Sequence, residues 1–215
     1  MKNRFDLIIF DWDGTLVNSI DWIVHCIQQA AVDYVGRMPD ALEVKDIIGL
    51  SLEQGLQQLF PELDAKAGRL FAARYAETFT SKPVTPDDLF SGVHEMLLQF
   101  KADGYHLAVA TGKKSVGLMR AMASTGVSEL FCTTRSADQT ASKPDPQMIE
   151  EIIRELNIEK HRTLMVGDSR HDLQMALNAG VSSIGLTCGA HSAEILRPFN
   201  PLLCLNHPAD LRNFF

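Results

Sequence analysis

The chain has 215 residues, 46% of them hydrophobic and 22% charged, with a formal net charge of −7. That composition excludes a disordered, collagenous or low-complexity chain. The acidic balance argues against a domain that grips phosphate backbones, so no nucleic-acid partner is expected.

The first apolar run, Leu7-Ile8-Ile9-Phe10, stops at Asp11 and reads as a buried strand of a parallel sheet. It is too short for a signal-peptide core of ~7–15 residues or a membrane span of ~20. No other run qualifies, so a cytoplasmic protein without a membrane partner is expected. The four cysteines, Cys26, Cys132, Cys188 and Cys204, form no CxxC pair and fit reduced thiols.

From Ser19 the pattern becomes helical. Ile20, Ile23, Val24, Ile27, Ala30, Ala31 and Tyr34 share one face, with Asn18 or Ser19 as N-cap. Further helices are expected at 40–48, 51–60 and 65–79. The Pro-rich stretch 81–88 is the clearest linker.

Beyond it strands and helices alternate: helix 92–103, strand 106–110, helix 115–124, strand 131–134, helix 146–156, strand 163–166, helix 171–179, strand 181–187 and a last strand 202–205. This order predicts an α/β fold, a doubly wound, Rossmann-like parallel sheet. The first strand is separated from the rest by about 60 helical residues, too many for an ordinary crossover. The expected organisation is a core of residues 1–16 and 83–215, with a small all-helical domain, 17–82, inserted after the first strand.

Ligands in an open parallel sheet bind beyond the carboxyl ends of the strands. The residues there are Asp11-Trp12-Asp13-Gly14-Thr15, Thr111-Gly112-Lys113-Lys114 and Gly167-Asp168-Ser169-Arg170-His171-Asp172, with Ser142-Lys143-Pro144 in a loop before a helix. Carboxylates gathered at one rim repel one another and call for cations. Mg²⁺ suits oxygen ligands at a site that also binds phosphate, and Lys143 adds a second positive charge. Thr111 and the amides behind it can hold phosphate oxygens. Together these parts equip the chain for phosphoryl transfer.

Trp12 reads as a packing residue, Lys113 and Lys114 as a solvated helix start, and His171 as a polar first-turn residue. The other histidines, at 25, 94, 106, 161, 191 and 207, show no metal spacing.

In these motifs the chain resembles the haloacid dehalogenase superfamily, in its phosphatase branch, and within it the phosphoglycolate-phosphatase-like and β-phosphoglucomutase-like subgroup. Asp11 to Val17 resembles the first family motif, Thr111 the second, Lys143 the third, and Gly167 to Asp172 the fourth. The helical insertion resembles the family's small cap.

The resemblance implies a nucleophilic Asp11 that forms an aspartyl-phosphate and an acid–base Asp13. It implies Mg²⁺ on Asp11, the Asp13 carbonyl and Asp168, with Asp172 behind them. Thr111, the Gly112 amide and Lys143 would hold the phosphoryl group. The family often has asparagine where this chain has Gly112, so only the backbone contact carries over.

Gly49-Leu50-Ser51 resembles the loop that reaches from the cap into the active site. Gly49 permits a tight turn, Ser51 caps the next helix, and the apolar Leu50 offers no cation for a second anion. The expectation is a phosphatase for a small phosphorylated metabolite, of broad specificity, acting as a monomer or weak homodimer.

A sugar-phosphate mutase would use the same Asp11 and Asp13. A halide-releasing hydrolase needs no metal, which Asp13, Asp168 and Asp172 argue against. A non-catalytic receiver-like phospho-acceptor module is ~125 residues long and lacks the insertion.

Overall fold

The computed structural model describes residues 4–215; Met1 to Asn3, assigned above to the core, lie outside the described residues. The apolar run Leu7–Phe10 forms β1. Helices α1 (Ile20–Tyr34), α2 (Ala41–Lys45), α3 (Leu52–Leu59) and α4 (Ala65–Ser81) follow without an intervening strand. The alternating part comprises α5 (Val93–Ala102), β2 (His106–Thr111), α6 (Ser115–Thr125), β3 (Thr133–Ser136), α7 (Gln147–Leu156), β4 (Thr163–Gly167), α8 (Arg170–Ala179), β5 (Ser182–Leu186), α9 (Ala193–Leu196) and β6 (Cys204–Leu205).

The six strands form one parallel sheet in the order β3-β2-β1-β4-β5-β6. Side chains alternate between the faces of a strand, and here both faces are apolar. Ile8, Phe10, Val109 and Val166 pack with Met96, Phe100 and Leu118 of α5 and α6. Leu7, Ile9, Ala108 and Met165 pack with Ile149, Ile152 and Met175 of α7 and α8. Burial on both faces explains the unbroken apolar run in β1.

The helical insert has its own core. Ile23, Val24, Ile27, Ala31, Val44, Leu56, Phe60 and Phe71 are buried together, joined by Ala190 from the sheet side. Full burial contributes about 1.5–3 kcal/mol for each large apolar side chain, so this cluster gives the insert an interior of its own. Val17, counted above as the insert's first residue, packs instead with the α5–α6 side of the sheet and bridges to Leu89.

Two local expectations are corrected. β3 begins at Thr133 rather than at residue 131, because it is a mostly polar edge strand and the apolar pair Phe131-Cys132 lies just before its ladder. Ser19 occupies the N-cap position of α1 without capping it; its hydroxyl is used elsewhere. The short helix α9 had no periodicity long enough to reveal it.

Candidate active site

Asp11, Thr111 and Asp168 stand where strands end, while Lys143 lies in the loop before α7 and Asp172 in the first turn of α8. The Asp11 amide donates to the Val166 carbonyl at 2.9 Å, carrying the β1–β4 ladder one residue further and fixing Asp11 at the centre of the sheet edge. Thr111 is the last residue of β2 and is buried. Asp168 follows β4 directly. Ser169 caps α8 in a capping box, in which Asp172 Oδ2 accepts from the Ser169 amide at 3.0 Å and its hydroxyl at 2.6 Å.

Lys143 is 0% exposed. Its Nζ lies 2.8 Å from Asp11 Oδ1 and 2.6 Å from Asp172 Oδ1. Burial alone would lower the lysine pKa, but Asp11 and Asp172 more than reverse this, so it stays charged. Asp11, Asp168 and Asp172 each offer an oxygen within 4.8 Å of the others. Asp168 Oδ1 accepts from the Thr15 hydroxyl at 2.8 Å and Oδ2 from the Ala190 amide at 2.7 Å.

One lysine does not balance three buried carboxylates. Burial, opposed by Lys143 and reinforced by the charge of Asp172, raises the Asp11 carboxyl to about 7. Burial, then the charges of Asp11 and Asp172, holds Asp168 well above the usual carboxylate range. The Lys143 contact to Asp11 Oδ1 lacks hydrogen-bond geometry, which leaves that buried oxygen with unspent lone pairs. A compact, electron-rich, all-oxygen cluster of this kind fits a hard divalent cation. The Asp triad is therefore a candidate divalent-metal site.

Asp13 is not part of that triad. Its carboxylate accepts from the Ser19 hydroxyl at 2.8 Å and pairs with Lys113 Nζ at 2.9 Å. Lys113 also lies 4.4 Å from the centre of the Phe79 ring. The solvated-helix-start reading of Lys113 is thus corrected: it ties the motif to α4. Lys114 is exposed, as expected, and Trp12 is buried packing, as expected. His171 stands in the first turn of α8, as expected. It is buried, with Nε2 2.9 Å from the Asp46 carbonyl of the insert.

The insert loop reaches the site. Gly49 has φ +103°, a conformation that favours glycine, and a Cβ there would meet Ser169 Oγ. The Ser51 amide donates to Ser142 Oγ at 2.8 Å, next to Lys143, and the Ser51 hydroxyl caps α3. A Cβ on Gly112 would collide with the carbonyl oxygens of Leu50 and Gly49. This close approach leaves no room for a side chain at position 112.

Sequence reading missed Asp46. Its carboxylate pairs with Arg170 at 2.8 Å and lies 3.5 Å from His191 Nε2. Arg170 sits in the fourth motif, a signal that was present, whereas nothing local distinguishes Asp46 from other surface acids. Beneath the insert is a cavity of about 380 Å³, lined by Asp11, Asp13, Thr111, Gly112 and Lys113 on the sheet side and by Ile23, Ile27, Ile47, Leu50, Tyr75 and Phe79 on the other.

A doubly wound sheet with a buried acid–lysine centre under a helical insert defines an α/β enzyme of the hydrolase kind. Residues 8–186 match the family model described as haloacid dehalogenase-like hydrolase. The chain belongs to this family, and within it to the phosphatases. It is 36% identical over 200 residues to the protein named "Probable phosphatase IndB" of Dickeya dadantii, covering 91% of this chain and 86% of that one. It is 32% identical over 212 residues to a phosphoglycolate phosphatase of Vibrio cholerae, covering 91% and 90%. The crystal structure of a hydrolase from Pseudomonas syringae has the same fold, with a TM-score of 0.86 at 20% identity over 98% of this chain and 97% of that one. No helix among the described residues is long and apolar enough to cross a membrane.

Proposed function

We propose that this enzyme hydrolyses small phosphomonoesters in a Mg²⁺-dependent reaction through a phosphorylated Asp11. The observation that carries the reading is the placement of Asp11. Its buried carboxylate lies at the floor of the cavity, beside Lys143 and in reach of Asp168 and Asp172.

Asp11, the Asp13 carbonyl and Asp168 would hold Mg²⁺, which when bound offsets negative charge on the phosphoryl group and its nucleophile. Both oxygens of Asp172 are occupied by Lys143 and the α8 cap, which suits a supporting role. Thr111, the Gly112 amide and Lys143 orient the phosphoryl group. An Asp11 carboxylate oxygen attacks phosphorus as the bond to the leaving oxygen breaks, and the Asp13 carboxyl gives that oxygen a proton. Asp13, now ionised, takes a proton from water; the water attacks phosphorus, the bond to Asp11 breaks, and phosphate leaves. Ser19 and Lys113 set the direction of the Asp13 carboxylate for both transfers.

The segment 17–82 serves as a cap that encloses the reacting groups and excludes water. Gly49, Leu50 and Ser51 form its contact with the phosphate end of the cavity. The site is assembled within one chain, which suits a monomer or weak homodimer. Four free cysteines favour a reducing, cytoplasmic compartment.

The test is phosphate release from a panel of phosphomonoesters with and without Mg²⁺, comparing the natural enzyme with Asp11→Asn. Release that is independent of Asp11 would refute the reading.

A further inference from the structure

On the phosphatase reading the sheet side of the cavity holds the phosphoryl group, and the insert side meets what the phosphate is attached to. The lining residues that the insert contributes include no lysine, arginine or histidine. Their one charge is the exposed carboxylate of Glu53, which repels a second anion.

One cation of the sheet side is committed: Lys113 is paired with Asp13 and covered by Phe79. Lys114 is exposed on the lining, which also carries the Asp138 carboxylate. What the insert presents is Ile23, Ile27, Ile47, Leu50, Phe79 and the Tyr75 ring, stacked against Phe79 at 5.6 Å. The cavity of about 380 Å³ falls in the range of ligand pockets (~300–1,000 Å³), more than a phosphate with a one- or two-carbon group would fill.

We propose that this cavity selects phosphomonoesters whose leaving group is uncharged and apolar, an alkyl or aryl chain of several carbons. The inference rests on the phosphatase reading and names its substrate class. Ser51, Tyr75 and Thr80 are the uncharged polar residues on this wall, and they can serve an ester or hydroxyl oxygen without requiring charge.

The experiment is a series of n-alkyl monophosphates from methyl to hexyl, each paired with the ω-carboxyalkyl phosphate of equal length, assayed for kcat/KM at fixed pH and Mg²⁺. Each methylene that enters the apolar wall is expected to raise kcat/KM by about 3- to 4-fold until the chain fills the cavity. Each carboxylated partner is expected to fall at least about 10-fold below its alkyl twin, because its charge would be desolvated without a partner.

Ala76, exposed on α4 at the cavity lining, provides a second arm. Ala76→Arg places a cation on the wall and is expected to narrow the alkyl-to-carboxyalkyl ratio by at least about 5-fold. A flat alkyl series, or carboxylated esters that equal their twins, overturns this inference while leaving a working phosphatase. Failure to release phosphate from any ester, an activated aryl phosphate included, overturns the phosphatase reading and the substrate class with it.

Discussion

The carbonyl oxygen of Leu50, in the insert, lies so close over Gly112, at the end of the second strand, that no side chain fits between them. The insert is thereby seated backbone against backbone beside Thr111, and Gly49 completes the contact against Ser169. Such a contact fixes the loop without needing any charged pair.

Gly112→Ala tests this contact. The added methyl must displace the Leu50 carbonyl, an overpacking that typically costs about 1–3 kcal/mol. Denaturant unfolding is expected to show that loss with the fold retained, and kinetics a raised KM. Unchanged stability together with unchanged KM would mean that the loop does not rest there in solution.

Asp11→Asn keeps the shape of the side chain and removes its charge. The variant is expected to fold, because Lys143 retains Asp172 at 2.6 Å. Loss of the nucleophile is expected to lower kcat by at least about 10³-fold. Circular dichroism and a phosphate-release assay check the two halves of the statement.

Activity is expected to vanish in excess chelator and to return with Mg²⁺. Ca²⁺ is expected to inhibit, since its larger and looser oxygen shell would misplace Asp11. Full turnover in chelator would remove the metal from the proposed reaction.

Stability without divalent ions is expected to fall as pH rises. Asp11, raised to about 7, and Asp168, held well above the usual carboxylate range, both first by burial, bind more protons folded than unfolded. The slope of unfolding free energy with pH is then negative above the usual carboxylate range. His171 and His191, lowered by burial, act in the opposite direction at and below the ordinary histidine range near 6.5, so the carboxylates set the sign above it. Between about pH 6.5 and 8 the apo enzyme is expected to lose stability, and Asp168→Asn to flatten the slope. Denaturant midpoints across that interval decide it; a rising curve would contradict the charge imbalance at the triad.

Asp46→Asn removes the charge that faces Arg170 and His191. The pair is more than a third exposed, so screening limits its worth to about 0.2–1 kcal/mol and the fold is expected to survive. What changes is the hold of the insert on the rim, read as a higher KM with a smaller change in kcat. An unaltered KM would reduce the contact to surface decoration.

The catalytic frame was legible in the chain because it is a local property of strands. Apolar runs ending in Asp11, Thr111 and Asp168 define three strand ends, and in a parallel sheet those ends share one edge. The order of elements was legible for the same reason, and so was the long helical excursion after the first strand.

The tertiary structure decided how that excursion comes down. Lys113 against Asp13 and Phe79, Asp46 against Arg170 and His191, and Leu50 over Gly112 all join the insert or the second strand's end to another segment. No periodicity encodes such pairs, since a side chain's hydropathy says whether it is buried and not what it is buried against. The polar edge strand β3 shows the limit from the other side. Its ladder is set by pairing with β2 at Ala108–Thr111; the apolar Phe131-Cys132 marked a strand there, but Thr-Thr-Arg-Ser carries no apolar signal to set its bounds.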